Sequence, residues 1–173
     1  MSDFEVAGNH FKVACFTEVT SPTEINQFLK EKRPEICLVD AKIIISIRQI
    51  KVALLNALSL QKTNQMQCRT IYLEILRCLS PDGRLSGAFK NCAVTETTKS
   101  VIGISLSDSI PEIPGLGKQI PVDEFFDNHQ PDINFISKIF MINDDMLKIY
   151  SYEDIIVTTL AVVASDLVRT HSS

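Results

Sequence analysis

Three short apolar runs, FKVACFTEV at 11–19, ICLV at 36–39 and SVIGISL at 100–106, are separated by longer stretches whose apolar residues recur at helical spacing. Alternating or wholly apolar runs of this length read as strands, and a 3.6-residue period reads as helix. A chain that interleaves the two must stack helices on a sheet. The predicted fold is therefore α/β (α+β): a small mixed sheet packed with several helices and a long C-terminal helix. At 173 residues the chain is expected to form one domain over 1–173 with a sizeable core. Its 45% apolar and 22% charged residues sit near globular averages, which excludes disorder, collagen and coiled coil.

Punctuation places the helices. Thr20-Ser21-Pro22-Thr23-Glu24 joins a capping hydroxyl, an early Pro and an acidic first turn, so a helix should run from there to Lys32 and stop before Pro34. Ser46-Ile47-Arg48-Gln49 fits a capping box, in which the glutamine reaches back to the capping amide. The helix it opens has Ile47, Ile50, Leu54, Ala57 and Leu58 on one face. A second helix is predicted over Cys68–Leu79, a turn at Ser80-Pro81-Asp82-Gly83, and a third helix over Arg84–Asn91. Pro111, Pro114, Pro121, Gly115 and Gly117 make 107–121 a loop throughout. Short helices at Val122–Asn128, Ile133–Phe140 and Asp144–Tyr150 then precede a long one from Asp154 to Thr170.

Signals for chemistry are thin. His10, His129 and His171 stand outside any acidic or cysteine cluster, and no HExxH, CxxC, GxSxG or Walker-type pattern occurs. No catalytic residue, metal site or cofactor is expected. No run supplies ~18 clean apolar residues, and MSDFEVAGNH lacks a basic start with an apolar run, so neither a membrane span nor a secretory signal is expected. The five cysteines, odd in number and mostly inside apolar segments, read as buried thiols of a reduced intracellular chain.

Charge is informative only when resolved by position. The whole chain carries −4, from 17 Lys and Arg against 21 Asp and Glu, which does not suggest a nucleic-acid binder. Yet Ala41–Leu73 contains no acid, and residues 41–94 hold eight Lys and Arg against two acids, a balance of +6 beside −10 for the remainder. Lys51 and Lys62 are eleven residues apart, close to three helical turns, and project from nearly the same side. Such a block suits phosphate. A solvated helix face that merely lacks acids fits the same pattern. In the last helix, Ile156, Leu160, Val163 and Leu167 form one apolar stripe and Val157, Ala161, Ala164 and Val168 a second beside it. Two stripes exceed what one-sided packing needs. Either the helix is central in the domain or one arc is an exposed patch for another protein, and for a terminal helix in a chain of this size the second is the expectation.

The run QMQCRTIYLEILRCLSPDGRLSGAFK at Gln65–Lys90 carries Met66, Arg69-Thr70, Glu74, Leu79-Ser80-Pro81, Leu85-Ser86, Ala88 and Lys90. This pattern resembles the kinase-binding subunit of the KEOPS complex, the family of the p53-related-protein-kinase-binding protein (TPRKB). The likeness extends to Val39-Asp40, Ser46, Gln49 and Lys148-Ile149-Tyr150, with weaker agreement at Phe11–Val19 and near Ile102. Gln65, Gln67 and Cys68 stand where the family usually has basic residues, Ala93 where members often have Gly, and the 107–121 loop is unusually rich in Pro.

The resemblance implies a subunit that is not itself an enzyme and takes no cofactor. It would bind the small atypical kinase/ATPase subunit and help recruit tRNA, including its 3′ CCA end, for threonylcarbamoyladenosine formation beside the anticodon. Its indirect partner would be the threonylcarbamoyl-transferase subunit, and its place the cytoplasm and nucleus. Arg48, Lys51, Lys62, Met66 and Arg69 are then the expected RNA contacts. Ile149, Tyr150, Ile156, Leu160, Val163 and Leu167 are the expected kinase contacts. The alternative is a protein-only scaffold that binds and regulates a small kinase without touching RNA.

Overall fold

A computed structural model describes residues 1–170, with the side chains of residues 165 and 167–170 outside the described set. The described chain is mixed α/β, as its interleaved pattern predicts. Strands β1 (Ser2–Val6), β2 (Asn9–Thr17), β3 (Cys37–Asp40), β4 (Val101–Ser105) and β5 (Lys118–Ile120) form one sheet in the order β1-β2-β4-β3, with β5 also on β2. Every pairing is antiparallel, where the sequence predicts a mixed sheet. The helices are α1 (Pro22–Lys32), α2 (Ile47–Lys62), α3 (Ile71–Cys78), α4 (Leu85–Asn91), α5 (Val122–Asn128), α6 (Ile133–Ile139), α7 (Asp144–Leu147) and α8 (Tyr152–Thr170). Contacts group into two compact units, Met1–Lys42 with Ala93–Gln130, and Ile43–Cys92 with the chain from Pro131 onward. Neither unit is contiguous in sequence.

The first unit holds the sheet. On β2, Ala14 and Phe16 point to a core completed by Ile25 of α1, Ile36, Leu38, Val101, Ile113 and Leu116. Ser21 Oγ accepts from the Glu24 amide, Pro22 opens α1, and Arg33 closes it at φ 47°, as its punctuation predicts. Asp40, at the buried end of β3, accepts from the Lys42 amide and the Thr98 hydroxyl. Two strands escape the sequence reading. β1 and β2 are joined by Ala7-Gly8, both at positive φ, the backbone of a two-residue hairpin turn made without an Asn-Gly signal. β5 lies inside the Pro- and Gly-rich stretch beside Gly117, whose φ of 81° and close approach to the Thr17 carbonyl leave no room for a side chain.

The second unit is helical. α2 packs against α3 and α8, and Ile136, Phe140, Ile156 and Leu160 form its local core with Ile45, Val52 and Tyr152 against them. Ser46 caps α2 by accepting from the Gln49 amide. Gln49 itself is buried and reaches past Ser46: its Oε1 accepts from the Ile45 amide and its Nε2 donates to the Ile43 carbonyl, each at 3.0 Å. α3 begins at Ile71, three residues later than predicted, because Thr70 supplies the cap and accepts from the Leu73 amide. All five cysteines are buried, as predicted.

Burial has a consequence for pH. It pushes the Cys15 and Cys78 thiols from 9.0 up to about 12, and does the same to Cys68 with help from the neighbouring Glu74 carboxylate. Above pH 9.0 the unfolded chain loses thiol protons that the folded chain keeps up to about 12, so rising pH favours unfolding across that window. Each thiol should remove up to about 1.4 kcal/mol of stability per pH unit there, and the full contribution should be present below it. The urea midpoint should therefore fall clearly between about pH 8 and about pH 10.5. An unchanged midpoint would contradict the buried environment of these thiols.

Candidate docking and nucleic-acid surfaces

The segment that carries the family resemblance proves to be chiefly a folding device. Glu74, fully buried on α3, accepts from the Gln67 and Cys68 amides through Oε2 at 3.1 and 2.9 Å. Its Oε1 accepts from Nε and Nη2 of Arg77, which is 1% exposed. Arg77 Nη1 in turn donates to the Gly83 carbonyl at 2.7 Å. Burial alone would lower the guanidinium's pKa, but the Glu74 bonds and nearby thiols outweigh it and hold it above the ordinary value. Ser80, also buried, donates to Asp82, which accepts from the Arg84 amide as well. Gly87 sits so close to the Asp82 carboxylate that a Cβ would collide with it. Positions Glu74, Ser80 and Ala88 thus shape the backbone between α2 and α4 and offer little to a partner.

The expected RNA contacts divide. Lys62, in the last turn of α2, and Arg69, in the loop before α3, are exposed, while Lys51 and Met66 are half-buried. Arg48 is exposed but engaged: its Nη1 lies 3.4 Å from Asp154 and 3.8 Å from Glu153 at the start of α8. Asp154 is held below the usual carboxylate range first by the Ser151 hydroxyl and then by Arg48. Arg77 is lost from the outside, but because its partner is Glu74 the block's balance of +6 is unaltered. Arg84 and Lys90 are exposed, and so is Phe89 at 51%.

The expected partner-binding residues require a correction. Ile156 and Leu160, at 0% and 1% exposure, are packed on Ile136 and Phe140 and cannot meet a partner while α8 stays in place. Val163 is half-buried, and the Leu167 side chain lies outside the described residues. Among the described residues the bulkier stripe faces inward at Ile156 and Leu160. Ala161 and Val162 are exposed, with Val157 and Ala164 half-buried beside them. Before α8, Ile149 is 75% exposed and Tyr150 57%. Their backbone is fixed: both amides donate to the Met146 carbonyl, and Asn143 caps α7. Met141, at 82%, is a further exposed apolar side chain that the sequence reading missed. Its φ of 53° at the end of α6 leaves no signal in a sequence pattern.

Among the described residues no group of His, Cys, Asp or Glu is placed to hold a metal ion, and no helix is long and apolar enough to cross a membrane. What the described residues present is an exposed Ile149-Tyr150 pair on a hydrogen-bonded turn and several exposed cations, features suited to binding rather than to chemistry. The family whose sequence profile matches residues 16–164 is "Kinase binding protein CGI-121", and the chain belongs to it. Over 153 residues it is 30% identical to the EKC/KEOPS complex subunit CGI121 of Candida glabrata, across 84% of this chain and 83% of that one. Over 156 residues it is 25% identical to the EKC/KEOPS complex subunit TPRKB of Danio rerio, across 85% and 87%. The EKC/KEOPS complex subunit cgi121 of Schizosaccharomyces pombe is 26% identical over 102 residues, 58% of this chain and 59% of that one.

Proposed function

We propose that this chain is the kinase-binding subunit of a KEOPS complex. It docks the small atypical kinase/ATPase subunit and, without chemistry of its own, helps hold tRNA by its 3′ CCA end while another subunit transfers threonylcarbamoyl to the adenosine beside the anticodon. The observation that carries the reading is the profile match over residues 16–164 to a kinase-binding family, and relatives that bear the KEOPS subunit name support it. The exposed Ile149 and Tyr150 supply a docking surface that the family name calls for. The RNA half rests on Lys62 and Arg69, exposed cations flanking the half-buried Met66. The cytoplasm and nucleus are the compartments that go with this role.

A protein-only scaffold is the second reading. It is favoured by the pairing of Arg48 with Glu153 and Asp154, and by Gln65, Gln67 and Cys68 in place of cations. A tRNA gel shift, with and without the 3′ CCA, decides between them. On the first reading, wild-type affinity falls by roughly 0.7–0.9 log units per log unit of salt for each phosphate contact, and Lys62→Glu/Arg69→Glu loses most of the binding. Binding that is undetectable, or indifferent to salt and to those reversals, leaves the scaffold reading.

A further inference from the structure

The second unit contains a buried ionic chain that the proposed docking and RNA roles do not use directly. It runs from the Gln67 and Cys68 amides to Glu74, from Glu74 to Arg77, and from Arg77 to the Gly83 carbonyl. Its two ends are pieces of irregular backbone. One is the 65–70 loop, which carries Met66 and Arg69; the other is the 80–84 turn, which carries Arg84. Both groups of the pair are essentially fully buried. As a source of stability alone such a pair is a poor choice, since well-packed apolar residues of similar volume commonly do as well or better. What the ions add is direction: a carboxylate selects two particular amides, and the guanidinium fork reaches a third backbone atom.

We infer that Glu74 and Arg77 are positioning residues for nucleic-acid contact. They hold the loop bearing Met66 and Arg69 and the turn bearing Arg84 in a fixed relation, so that these side chains meet an RNA strand without first being ordered. The inference rests on the RNA half of the proposed function. Ordering a loop and its long cationic side chains on binding costs affinity, and a loop already held avoids that cost. Neither residue touches the ligand, and both act through the backbone they fix.

Arg77→Lys tests this in the full chain. Lysine keeps the charge and can still face Glu74, but it lacks the fork needed to hold the Gly83 carbonyl as well. The binding curve to tRNA bearing a 3′ CCA should weaken about tenfold, and the dependence of log affinity on log salt should become shallower by roughly 0.7–0.9, one phosphate contact. Co-purification with the kinase subunit should persist. Because net charge is unchanged, loss of field strength cannot produce this result, and a merely structural role would not alter the salt slope.

Affinity within about twofold of wild type, with the same slope, overturns the inference while leaving RNA binding intact. Absence of binding by the wild-type chain itself overturns both this inference and the RNA reading beneath it. The wild-type chain offers a second measurement that needs no variant. In the absence of RNA, the Gln67 and Cys68 amides should exchange hydrogen as slowly as the core of α2. Fast exchange there means that the loop is not held, and the inference fails.

Discussion

Glu74→Ala should cost about 3–5 kcal/mol of stability, read as a lowered urea midpoint with little change in slope. Three groups lose their partner at once. The Arg77 guanidinium becomes an uncompensated charge at 1% exposure, and the Gln67 and Cys68 amides lose the oxygen they share. Leaving a buried charge unpaired is the larger cost, and an unsatisfied buried amide adds about 1–3 kcal/mol. The double variant Glu74→Leu/Arg77→Met separates these parts. It removes both charges and should recover most of the loss, keeping only the share due to the two amides and the Gly83 carbonyl. A single variant within about 1 kcal/mol of wild type would show that the pair does not organise this region.

Elements whose local signals agree with their environment were legible in the sequence: α1 has its Ser21 cap and Pro22, and α2 its Ser46 cap. β1 was not legible, because its pairing depends on a turn in which Ala7 adopts a positive φ, a conformation no residue pattern announces. The antiparallel sheet was not legible either, since interleaved order alone does not settle strand direction. At the candidate surfaces the charge block was legible as a sum, but not the fate of its members. Arg77 turned inward to meet Glu74, and Arg48 was claimed by α8, both through contacts made only in the folded chain. The apolar arc of α8 was likewise visible as too broad. Which half faces inward follows from bulk: Ile156 and Leu160 fill the space beside Ile136 and Phe140, leaving the smaller Ala161 and Val162 outside.

Bulk and burial together determine how the docking surface must be tested. Leu160→Glu would be a misleading probe, because a carboxylate placed at 1% exposure among Ile136, Phe140 and Ile156 should unfold the second unit, and any loss of partner would follow from that. Ile149→Asp/Tyr150→Asp is the informative variant. Both side chains stand in water, on a backbone fixed by the Met146 carbonyl, so the urea midpoint should stay within about 0.5 kcal/mol of wild type. Co-purification with the kinase subunit should nevertheless be abolished. A solvent-exposed Tyr beside an Ile is the composition of a binding hot spot, where truncations cost 2 kcal/mol or more, roughly thirtyfold in affinity. Adding two like charges to an apolar contact costs further. Val162→Glu, exposed roughly three turns into α8, should weaken the complex if the partner lies along the helix and leave it intact if the partner seats only on Ile149 and Tyr150 before it. A double aspartate variant that folds and still holds the kinase subunit at wild-type strength would move the docking surface away from Ile149 and Tyr150 altogether.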